Sequence, residues 1–188
     1  MSSLLRFYSS SLKTHPKTTN AMMTGVLFGI GDIIAQLQFA DTPDTNYNPM
    51  RTLRPFIYGA FIFSFIGDKW YRILNTKIKI SGKPTDHWMN TVARVVFDQL
   101  FFAPVGIPFY FSVMTLMEGG SFLQVKERLN EIWWSTLVTN WAIWPAFQFC
   151  NFSLLPVQHR LLAANLMSIF WNTFLSYTNA HSSPVDKD

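Results

Sequence analysis

Two aspartates stand where charge is otherwise absent. Asp32 is the single charged residue between positions 18 and 40, and Asp98 opens the uncharged window 99–117. A carboxylate deep in a bilayer costs about 2.5–3.5 kcal/mol on insertion scales, so each acid should face a protein interior, paired or hydrated. Gln36 continues the face of Asp32 one helical turn on, and Gln99 adjoins Asp98. A third group is Trp141, Trp144, Gln148 and Asn151, spaced three, four and three apart on one helical face, with Pro156 and Arg160 following. These groups suit solvation of an ion or polar solute along an aqueous path. They equally suit a polar packing network, an aromatic girdle at the interface, or acids paired with Arg94 or Arg160. The interior polar candidates are therefore Asp32, Gln36, Asp98, Gln99, Trp141, Trp144, Gln148, Asn151 and Arg160.

Enzymatic chemistry finds little to work with. His15, His87, His159 and His181 are scattered, without the paired spacing of a zinc protease. No serine sits in a nucleophile elbow and no phosphate loop is present. Cys150 is the single cysteine, which excludes an intramolecular disulfide and a four-cysteine zinc site. The expectation is no enzyme, no cofactor and no metal. The formal net charge of +4 lies in short flanking segments without an RNA-binding signature, so nucleic-acid contact is not expected.

The elements that must carry these residues read as membrane helices. Only 14% of residues are charged, against roughly 25% in ordinary soluble domains. Residues 99–117 and 161–180 are uncharged, near the 20 or so residues that cross a hydrocarbon core. Residues 18–40 hold one acid, and 55–67 run uncharged into Trp70, Tyr71 and Ile73. The chain is thus expected to be all-α, one membrane-embedded domain over 1–188, with about four spans near 18–39, 53–75, 94–117 and 157–178. Residues 121–152 are expected to form a short amphipathic, interfacial or re-entrant helix broken or kinked by Pro145, a fifth span being the alternative. Pro104, Gly106 and Pro108 are expected to interrupt the third span. In the first span Gly25 and Gly29 form a small-residue pair for close helix packing.

Loop charges suggest an even number of spans. The N-terminal segment carries Arg6, Lys13 and Lys17 before any acid. The connection between spans two and three carries Lys69, Arg72, Lys77, Lys79, Lys83 and Arg94 against Asp68 and Asp86. Both termini then lie on the positive side. The Ser-rich, acid-free N-terminus, with Leu5, Tyr8 and Leu12 on one face, has the composition of a mitochondrial targeting segment or of an amphipathic surface helix.

These residues resemble one family, that of Mpv-seventeen and the 22-kilodalton peroxisomal membrane protein. The motif Trp141, Trp144, Pro145, Gln148, Asn151 and Phe152 carries the likeness. It is extended by Pro156, Arg160, Trp171, Asn172 and Leu175-Ser176, and upstream by Tyr8, Pro16, Thr19, Gly25, Gly31, Asp32, Gln36, Gly67-Asp68, Trp70-Tyr71, Asp98-Gln99, Pro104 and Pro108. Within the family, positions 63–71 and 155–163 are most similar to the fungal stress-responsive members of the mitochondrial inner membrane. The resemblance implies four membrane helices, an inner-mitochondrial location (the peroxisomal membrane being the alternative), and a retained N-terminus. It also implies a role in stress tolerance, metabolite balance and mitochondrial DNA maintenance, through forming or regulating a channel. The expected partners are the lipid bilayer, small solutes or ions, and further copies in a homo-oligomer or larger membrane complex. A non-conducting scaffold is the competing reading.

Overall fold

The structure is a computed structural model that describes residues 10–11, 14–39, 46–84, 87–154 and 157–182; side chains at 151–153, 157–162 and 165 lie outside that description. The expected N-terminal amphipathic face of Leu5, Tyr8 and Leu12 lies outside it as well. Among the described residues the chain is helical and no strand forms. The elements are α1 (Pro16–Gln38), α2 (Pro49–Ile57), a π-helical segment (Tyr58–Phe63), α3 (Ser64–Lys77), α4 (Trp88–Phe97), a second π-helical segment (Asp98–Phe102), α5 (Ala103–Met117), α6 (Phe122–Leu154) and α7 (Val157–His181).

Local chemistry sets most of these boundaries. Pro16 and Pro49 occupy first-turn positions, where a missing N–H costs nothing. Asn48 caps α2 by accepting from the backbone of Met50 and Arg51 at 3.0 and 3.2 Å. Gly119, at φ +90°, ends the helix at Met117 in a backbone conformation that suits glycine. Ser121 and Gln124 then form a reciprocal capping box that starts α6.

Two expectations change here. The Pro104-x-Gly106-x-Pro108 segment does not interrupt its helix, because Ala103 N–H reaches back five residues to the Asp98 carbonyl and the turn before Pro104 widens into a π segment. The helix expected over 121–152 forms as one element of 33 residues, Phe122–Leu154, and Pro145 lies inside it without breaking it. Among the described residues two runs, Pro16–Gln38 and Trp88–Met117, are long and apolar enough to cross a membrane by themselves. Along the second, Trp88, Val92, Val96, Leu100, Val105 and Phe109 stay exposed, the surface a helix offers to lipid rather than to water.

The chain packs as two compact units, Met1–Gly67 with Met167–Tyr177, and Asp68–Leu166 with Thr178–Asp188. In the first unit α1 crosses its neighbours on glycine. A Cβ at Gly25 would stand 2.9 Å from the Ala60 Cβ and from the Phe56 carbonyl oxygen. Gly29, the other half of the expected pair, has room: the nearest atom to its Cβ would be 3.7 Å away. The tightest approach is at Gly31, whose Cβ would meet Asn172 Cβ at 2.5 Å and the backbone at Asn172 C and Thr173 N at 2.7 and 2.8 Å. Backbone atoms cannot rotate aside, so this contact admits hydrogen alone. Gly31→Ala should therefore destabilise the protein by about 1–3 kcal/mol through overpacking. Gly29→Ala should be neutral or stabilising by up to about 1 kcal/mol through helix propensity. Thermal unfolding of both variants in one detergent checks the contrast.

Candidate functional site

The polar residues gather into three clusters, one in the first unit and two in the second. Asp32 is 1% exposed, and four donors surround its carboxylate. Oδ1 accepts from Arg51 Nε at 3.2 Å and from the Ser176 hydroxyl, while Oδ2 accepts from Thr52 Oγ1 at 2.6 Å and Gln36 Nε2 at 2.7 Å. Gln36 also exchanges hydrogen bonds with the Asn48 backbone, accepting from its N–H at 2.8 Å and donating to its carbonyl at 3.0 Å. One carboxylate thus ties α1 to the start of α2 and to α7. Its cation among the described residues is Arg51 rather than Arg94. Nineteen positions separate Asp32 from Arg51, so no helical periodicity links them.

Asp98 is different. It is half-buried; Trp70 Nε1 donates to Oδ1 at 2.8 Å and Gln99 Nε2 to Oδ2 at 3.1 Å. Both donors are neutral, and no cation pairs with Asp98 among the described residues. Arg94, one turn before it, donates to the Ile78 carbonyl at 3.3 Å. Gln99 Oε1 accepts from Asn140 Nδ2 at 2.6 Å, which extends the cluster to α6. Trp70 stacks on Phe102 at 5.3 Å between centroids and closes one side.

The tryptophans of α6 serve backbone carbonyls. Ala103 donates to Asp98 rather than to Gln99, and Pro104 has no N–H, so the Gln99 carbonyl lacks a helical partner. Trp141 Nε1 donates to it at 2.9 Å. Pro108 likewise cannot serve the Pro104 carbonyl four residues back, and Trp133 Nε1 donates there at 3.3 Å. Trp144 packs edge-on against Phe147, and Gln148 is half-buried without joining the Asp98 cluster. The side chains of Asn151 and Arg160 lie outside the described residues.

The third cluster escaped the sequence reading. Arg128, 1% exposed, donates to Glu118 Oε2, Thr115 Oγ1 and Asn179 Oδ1, each at 2.8 Å, and to the Ser182 carbonyl at 3.4 Å. Asn179 Nδ2 closes the ring on Glu118 Oε1 at 2.7 Å. Glu118 directly precedes the Gly119-Gly120 turn and Arg128 lies in the second turn of α6, beside Lys126 and Glu127, where charge resembles that of any solvated face. Among the described residues no group of three or more His, Cys, Asp or Glu is placed to hold a metal ion.

A family model described as Mpv17 / PMP22 family matches residues 115–176, the stretch that holds Thr115, Arg128, Asn140 and the α6 tryptophans. "Protein SYM1" of Eremothecium gossypii is 61% identical over 183 residues, covering 97% of this chain and 100% of that protein. The chain belongs to the Mpv17 / PMP22 family. "Protein SYM1" of Saccharomyces cerevisiae is 58% identical, covering 98% of this chain and 94% of the relative. That of Candida albicans is 47% identical, covering 90% and 93%. No solved structure matches. In this Mpv17 / PMP22 protein the bilayer is the medium around the helices, so an unfilled carbonyl on α4–α5 has no water to turn to.

That constraint makes the tryptophan bonds testable. Trp133→Phe should cost about 1 kcal/mol, the net worth of one hydrogen bond. In a Pro108→Ala background, where residue 108 regains an N–H for the Pro104 carbonyl, the same change should cost distinctly less. A double-mutant cycle on unfolding midpoints measures the coupling; additive effects would separate the indole from the proline vacancy.

Proposed function

We propose that this chain is a four-span protein of the mitochondrial inner membrane that passes small solutes or ions, with Asp98 as the acid that meets the permeant species. The observation that carries the reading is the Asp98 carboxylate: half-buried on a long apolar helix, oriented by Trp70 and Gln99, and not neutralised by any described cation. A carboxylate held in that way keeps acceptor capacity for a cation or a hydrated solute. Asp32 has no such capacity, since four donors already occupy it. A chain of 188 residues leaves little room for a wide pore, which favours a homo-oligomer or a narrow path. The location is supported by the likeness of positions 63–71 and 155–163 to fungal inner-membrane members and by the acid-free basic N-terminus. Support of metabolite balance under stress and of mitochondrial DNA maintenance follows from the family resemblance, and a role without catalysis from the scattered histidines and the lack of a catalytic motif in the sequence.

A second reading has an observation of its own. The Asp32 and Arg128 clusters are closed hydrogen-bond rings, the form that polar groups take in a scaffold whose helices are locked in register. Planar-bilayer recordings of the purified protein separate the two. The expected outcome is discrete openings whose cation preference falls in Asp98→Asn. Asp32→Asn should leave selectivity unchanged and lower the yield of folded protein. Unchanged selectivity in Asp98→Asn would remove Asp98 from the path. A silent bilayer containing folded, inserted protein would favour the scaffold.

A further inference from the structure

The connection between α3 and α4 is basic. Positions 68–87 carry Lys69, Arg72, Lys77, Lys79 and Lys83 against Asp68 and Asp86, the last lying outside the described residues. Asp68 is taken by Arg72, one helical turn on. Lys69, Lys77, Lys79 and Lys83 are exposed, and none pairs with a described carboxylate. A run of like charge is commonly a solvated segment that reaches into water. Here the backbone does otherwise.

Two side chains of α4 hold the loop against that helix. Asn90, 0% exposed, accepts from the Ile80 N–H at 2.7 Å and donates to the Pro84 carbonyl at 2.7 Å. Arg94 Nε donates to the Ile78 carbonyl at 3.3 Å. The Lys83 N–H closes a turn on the Ile80 carbonyl at 3.2 Å, with Gly82 at φ +75° in its third position. α4 opens the apolar run Trp88–Met117, and Asn90 and Arg94 lie about 3 and 9 Å along it at 1.5 Å per residue. The loop is therefore folded back over the membrane end of α4, which brings its lysines to the bilayer boundary. Tyr71, 62% exposed, precedes the loop and Trp88, 67% exposed, follows it; both are residue types that settle at headgroup level. We propose that Lys77, Lys79 and Lys83, with Lys69 on the preceding helix, form a binding surface for the headgroups of anionic phospholipids. A lysine stem lies along apolar surface while its ammonium reaches the headgroup layer, and the attraction to anionic lipid acts within a Debye length of the surface. A loop standing out in water would suit a soluble polyanion; one pinned beside the first turns of a membrane helix suits lipid.

This surface rests on the membrane embedding of α4 and not on conduction, so its test is independent of the channel reading. Spin-labelled phosphatidylglycerol and phosphatidylcholine are compared in vesicles that hold the full-length protein. Wild type should restrain phosphatidylglycerol about two- to five-fold more strongly than phosphatidylcholine at low salt. Salt at about 1 M, where the Debye length falls to about 3 Å, should remove most of that preference. Lys77→Gln combined with Lys79→Gln should roughly halve it, while Lys77→Arg combined with Lys79→Arg should keep it. Lys126→Gln, which removes a charge beside Glu127 on α6, should leave it unchanged. The three lysines are exposed, so the variants keep the fold. Equal restraint of the two lipids by wild type overturns the proposal, as does full preference in the glutamine pair. A loss in Lys126→Gln as large as in that pair also overturns it, because net charge alone would then be responsible. Binding of a single-stranded oligonucleotide to the embedded protein, with the two lipids restrained equally, assigns the loop to nucleic acid instead.

Discussion

Pro108 has no N–H to offer the Pro104 carbonyl, and Pro104 has none to offer Gln99. In water either vacancy would be filled by solvent. On a helix embedded in hydrocarbon it must be filled by protein, and α6 fills both with indole N–H groups from Trp133 and Trp141. These donors lie eight residues apart, about 12 Å along a helix, so satisfying both fixes the register and direction of α6 against α4–α5. The length of α6 follows in part from this, since one helix serves both carbonyls and carries Arg128 about a turn further.

Charge obeys the same accounting. Asp32 in one unit and Arg128 in the other are almost fully enclosed, and each is surrounded by partners from helices distant in sequence. Ion pairs of this kind recover little net stability after desolvation, but breaking one is costly. Their effect is therefore to specify which helices meet, and where. Asp98 departs from that pattern, with neutral donors and an exposed edge.

Close packing completes the first unit. Gly59 sits inside the π segment Tyr58–Phe63, and a Cβ there would stand 2.8 Å from Phe28 Cδ2 and 2.9 Å from the Thr24 carbonyl oxygen. The widened turn and the missing side chain together let α1 lie against it, with Gly25 on the facing side. Gly31 does the same for α7, six positions along α1. The hydrogen bonds of Asp32 follow directly, since the residue after the closest backbone approach is the one placed to reach Ser176.

The one-dimensional pattern determined the helical class and the membrane character, and it marked the apolar runs of Pro16–Gln38 and Trp88–Met117, because the near-absence of charge over some 20 residues is a local property that bilayer thickness reads directly. It also singled out Asp32, Gln36, Asp98, Gln99 and Trp141, since polar groups inside apolar windows are conspicuous. Three things were decided only by tertiary structure: the partner of each polar group, the distinction between Gly29 and Gly31, and the enclosure of Arg128. Asp32 pairs with Arg51 across a turn between helices, Gly31 is demanding because of the Asn172 backbone, and Arg128 is buried because Asn179 and Ser182 return to it after some fifty residues. The physical reason is common to all three. A residue's type and spacing state what it needs, a partner or a space, while the fold alone determines which distant atom supplies it.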